Sequence, residues 1–195
     1  CEALFPNKVL NDPLTSRAFF TEASIFGGHT AKSNTDLAWA TNDYFNFVVK
    51  SHRPNLESQD AYFELSSSVF GSLTSSLFYD VYSSEKWNFA VKVSPTKYEN
   101  IDLVSGADGT YTVEFYGVNV VSNAIQNIFT VTGTLSNTDG DRFVTSDKRL
   151  FVGAHYADFT SSVLQYSDTK VSYLRYWNTE LPSDSILQHA FDTYN

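Results

Sequence analysis

Apolar and polar residues alternate along much of this chain in short runs separated by turn signals, the period-2 pattern of half-buried β-strands. The spacing predicts strands over residues 44–50, 61–70, 73–82 and 87–93, then over 110–121, 125–135, 149–155 and 169–177. In Trp87-Asn88-Phe89-Ala90-Val91-Lys92-Val93 the odd positions are apolar and face one way, toward a core between two sheets. Asp108-Gly109 reads as a tight hairpin, because Gly accepts the positive φ such a turn demands. Asn137-Thr138-Asp139-Gly140-Asp141 reads as a second polar turn and Ser94-Pro95-Thr96 as a third. Residues 1–41 are irregular, with Pro6, Pro13 and the pair Gly27-Gly28, and are expected to wrap the sandwich or to supply an edge strand. One helix is expected near the C-terminus. Ser183 can cap it, Asp184 sits in its first turn, and Ile186, Leu187, Ala190 and Phe191 make its apolar stripe, so it would close one end of the sandwich.

Composition sharpens this to an all-β class. Aromatics reach 16%, most of them the 16 Phe and 12 Tyr, and such rings pack well on pleated surfaces. A chain of 195 residues is most economically one domain, 1–195. The formal charge of -9 repels phosphate backbones and anionic lipids, which excludes nucleic acid as a partner and argues against membrane insertion. No apolar run approaches the roughly 18 residues of a membrane span. The first residues lack the basic start and apolar stretch of a signal peptide. Cys1 is the only cysteine, so no internal disulfide is available, and the absence of Met suggests a part of a longer polypeptide.

No segment carries a specific catalytic motif. Glu64 and Glu114 each lie alone on a predicted strand and read as solvent-facing charges. Among the histidines, Gly27-Gly28-His29 can hold an imidazole in a tight turn, and His155 follows a strand beside Asp158. One cysteine and dispersed histidines disfavour zinc, and no Gly-x-Ser-x-Gly elbow occurs. Sugar binding would need rings on an open face with hydroxyl partners beside them. The candidates are Trp39, Tyr116, Tyr156, Tyr166, Tyr173 and Trp177 with Asn119 and Gln165; Tyr173 and Trp177 share a strand face on this reading, which favours the core for Trp177.

Residues 148–192 also carry a resemblance. Leu150-Phe151-Val152-Gly153-Ala154, a loop, Val171-Ser172-Tyr173-Leu174-Arg175-Tyr176-Trp177-Asn178 and Leu181-Pro182-Ser183-Asp184-Ser185-Ile186 resemble the closing strands and helix start of laminin-G-like domains of the concanavalin A-like lectin/glucanase superfamily. Trp87-Asn88-Phe89-Ala90-Val91 is similar to that family's central Trp-x-x-(Ala/Val) strand. The likeness extends more loosely over 43–135 and does not reach earlier residues. It implies a jelly-roll sandwich of two antiparallel sheets with one face as a ligand platform, in a family spread over adhesion proteins, secreted enzymes and structural proteins of tailed bacteriophages. It also implies calcium as the one candidate cofactor, held by Asp108, Asp139, Asp141 and Asp158. The Glu-x-Asp-x-x-Glu strand of the family's glucanases is missing. The resulting expectation is a non-catalytic binding or structural module of an extracellular or virion assembly, contacting other protein subunits or domains of the parent chain. A carbohydrate-binding lectin is the alternative, and a glycoside hydrolase or polysaccharide lyase the second alternative.

Overall fold

The computed structural model describes residues 1–7, 19–31, 43–96, 109–156 and 162–191. It is an all-β sandwich of two five-stranded antiparallel sheets, with two short helices. The first sheet has the order β12 (Lys170–Ser172), β1 (Glu2–Phe5), β6 (Glu85–Pro95), β7 (Thr110–Val121), β8 (Ala124–Ser136). The second runs β5 (Gly71–Thr74), β4 (Tyr62–Ser67), β3 (Asp43–His52), β2 (Glu22–Ala31), β9 (Lys148–Val152). A small pair, β10 (Ala154–Tyr156) and β11 (Val163–Tyr166), lies beside β2.

The alternation read from β6 does what it predicts. Trp87 and Phe89 are buried, and with Phe5, Phe63, Phe115 and Phe129 they form one aromatic cluster between the sheets. Burying side chains of this size contributes about 1.5–3 kcal/mol each. Gly117 stands opposite Phe129, and a Cβ there would meet that ring, so the glycine makes room for the cluster. β7 and β8 meet in a two-residue turn at Ser122 and Asn123, with φ of 52° and 61°, the mirror-image geometry that matches strand twist. β8 is 13 residues long, carries no charged side chain, and among the described residues only β7 pairs with it.

Several expectations change. The N-terminal region holds two strands, and β2 is an interior strand between β3 and β9 instead of an edge or a wrapping. Gly27-Gly28-His29 is therefore mid-strand; a Cβ at Gly27 would strike the Phe47 carbonyl and the Phe151 ring, so close packing explains this glycine without a turn. Residues 137–141 open a helix, α1 (Asn137–Thr145), because the Ser136 hydroxyl accepts from the Asp139 N–H and caps it. Ser94 and Pro95 continue β6. The run 73–82 leaves the sheet after Thr74, and Asp80 and Ser84 take positive φ. Gly153, at φ 71°, breaks 149–155 into β9 and β10, and Tyr173, at φ 52°, ends β12 early. Trp177 is 42% exposed, outside the core. The hairpin residue Asp108 lies outside the described residues.

The second helix, α2 (Ser183–Phe191), lies where the sequence places it but covers the outer face of the first sheet, not one end of the sandwich. Tyr116, an outward residue of β7, bonds through its hydroxyl to Ser183 Oγ at 3.0 Å, so Ser183 serves this tether. Near β1 a buried polar network ties the loops together. Asp168 accepts from Tyr82 Oη at 3.1 Å and from the Arg53 guanidinium at 3.3 Å, and the guanidinium stacks 4.1 Å over the Tyr82 ring. Tyr82 Oη also meets Ser51 Oγ at 2.9 Å.

Candidate functional site

The two edges of β6 differ in what covers them. β7 pairs with β6 from Trp87 to Pro95, whereas β1 pairs with it only from Glu85 to Asn88. At Cys1 the terminal ammonium donates to the Phe89 carbonyl while the Phe89 N–H donates to the Cys1 carbonyl, both at 2.8 Å. In an antiparallel ladder such pairs recur every second residue, so the main-chain groups of Val91 and Val93 point to the same edge. Among the described residues nothing pairs with them there. Pro95, next in phase, has no N–H to offer, which suits a proline on an unpaired edge.

A cleft of about 690 Å³ wraps this bare edge. Its inner wall belongs to the space between the sheets: Phe26 and Phe47 from β2 and β3, Leu150 from β9 and Phe143 from α1. Its outer wall is the segment between β12 and α2, with Tyr176, Trp177 and Leu181. Leu150, Tyr176, Trp177 and Val144 stay 38–53% exposed around the opening, a grouped apolar surface of the kind that marks a contact site.

Charge is held at the rim of the cleft. The Lys92 ammonium lies 2.6 Å from Glu114 and 2.9 Å from Glu180, which pins the outer wall to the sheet. Burial pulls that ammonium down, but the two carboxylates outweigh it and push its pKa up to about 12. Lys148 is held below the ordinary lysine range by burial; it donates to the Ser146 carbonyl at 2.9 Å and sits 5.1 Å over the Phe143 ring. Arg175 Nη1 meets His189 Nδ1 at 3.0 Å, and Trp177 packs on the same imidazole. Burial raises the Tyr116 phenol, which the Ser183 contact offsets in part.

Of the residues singled out from the sequence for sugar or a cation, Tyr116, Trp177 and Asp141 line this cleft, and the other described ones are scattered. Tyr116 is 5% exposed beneath α2, and Asn119 is 3% exposed on the inner face, donating to Glu85 and to the Lys86 carbonyl. Neither can be reached by a sugar. Tyr156, Gln165 and Tyr166 sit on the β10–β11 pair, where Tyr166 stacks on Phe20. Trp39 lies outside the described residues, as do Asp108 and Asp158. Asp139 and Asp141 are on α1, Asp139 at its cap, so the rim loop expected for a cation is a helix start. Among the described residues no group of three or more His, Cys, Asp and Glu side chains is gathered.

The outer face of the second sheet carries a polar row. Lys50 donates to Glu22 at 2.8 Å, His52 meets Glu64 at 2.6 Å, and Ser72 also donates to Glu64. Burial raises the Glu22 carboxyl, yet its bonds from Lys50 and Gln165 leave it below the ordinary range. Glu64 and Glu114, expected to face solvent, are thus each engaged and mostly covered. The His29 imidazole is buried, 3.1 Å from the Tyr156 carbonyl, stacked on His155 and tilted against Phe151, which fastens the small strand pair to the sheet.

Val91, Val93, Phe143 and Leu150 are not recognised from the sequence as cleft residues: the valines read as core and Leu150 enters only through the family resemblance. Their one local signal is Pro95 closing an apolar run, since a proline there requires an edge without a neighbour. Comparison with known proteins returns no matching family model, no matching curated protein and no matching solved structure.

Proposed function

We propose that the chain is a non-catalytic binding module that acts through protein–protein contacts at the cleft beside β6. The observation that carries this reading is the cleft itself: a largely apolar opening of about 690 Å³ at whose rim Lys92 is already paired with two carboxylates. Glu114 and Glu180 hold Lys92, which leaves neither free as the acid or nucleophile of a hydrolase. The aliphatic side chains of Val144 and Leu150, exposed beside the rings at the opening, suit an apolar partner, and the other described glycan candidates are dispersed over the molecule. The laminin-G-like resemblance of residues 148–192 adds the setting, a larger extracellular or virion assembly, and a jelly-roll winding for the sandwich.

The test is a random dodecapeptide display library panned against the chain, run beside a glycan array with and without calcium. Peptide binders that are lost when Leu150→Glu places a charge in the inner wall support the reading. Glycan binding without peptide enrichment, or peptides indifferent to Leu150→Glu, overturns it.

A further inference from the structure

We draw no further inference here: the strongest candidate, the exposed apolar group of Val121, Ile125 and Ile128 beside the β7–β8 turn, carries none because nothing in the structure shows what covers it.

Discussion

The two halves of β6 have the same alternation and opposite fates. In the first half Trp87 and Phe89 are 1% and 2% exposed, because β1 covers the strand's edge and seals the cluster around Phe5 and Phe63. In the second half Val91 and Val93 are only partly buried and line the cleft. A face is written into a strand by its residue pattern. Whether that face becomes core or contact site depends on a neighbour 80 or more positions away in sequence, as the bond between Cys1 and Phe89, 88 positions apart, shows.

The sharpest way to break this contrast is truncation at each end. We predict that Trp87→Ala lowers stability by about 3–5 kcal/mol in urea denaturation, the usual cost of emptying a packed aromatic site. Asp168→Ala should cost a similar ~3–5 kcal/mol, because Arg53 is left charged and buried beside Tyr82 at the sealed end. At the open end Val91→Ala should cost less, about 1–2 kcal/mol, since Val91 packs against the core but stays only partly buried. Comparable losses for Trp87→Ala and Val91→Ala would remove the distinction between the two halves.

Titration probes the same pair of regions more gently. Burial and the Asp168 carboxylate raise the Tyr82 phenol well above its ordinary value, and the carboxylates around Lys92 raise that ammonium to about 12. Both groups hold a proton in the fold that the unfolded chain releases near pH 10, so ν of the native state exceeds that of the unfolded state and stability falls as pH rises past 10. Urea midpoints between about pH 9 and 11.5 should decline, and Tyr82→Phe should flatten the decline; a rising midpoint contradicts the sign. The smallest effect belongs to the rim. Glu180→Gln should change stability by only about 0–1 kcal/mol, as partly exposed pairs do.

Much of the fold was legible because its signals are local. The alternation in residues 87–93 and 110–121, the gap between 121 and 125, and the stripe of Ile186 and Ala190 all report on neighbours in the chain. The readings that failed depend on distant atoms. Gly27-Gly28 looks like a turn until Phe47 and Phe151 are packed against it. Asn137 to Asp141 looks like a hairpin loop until the Ser136 cap and Gly140, pressed against Tyr111, are seen to make a helix. Trp177 reads as core because a strand was expected to continue past Tyr173, whose positive φ ends it. The cleft was the least legible, because its walls come from segments far apart in the chain and leave only Pro95 as a local trace.

The outer edge of β8, without a partner among the described residues, has a consequence for handling. Native sheets protect long edges with charge, proline or bulges, and over its 13 residues this strand has no charge, no proline and one irregularity, at Gln126. The formal charge of -9 then acts as a colloidal barrier, keeping such edges on separate molecules apart. We predict that acid, by protonating carboxylates, thins that barrier before it unfolds the sandwich. Light scattering should rise on acidification while the near-UV circular dichroism is still native, and added salt should bring the same clouding at a higher pH.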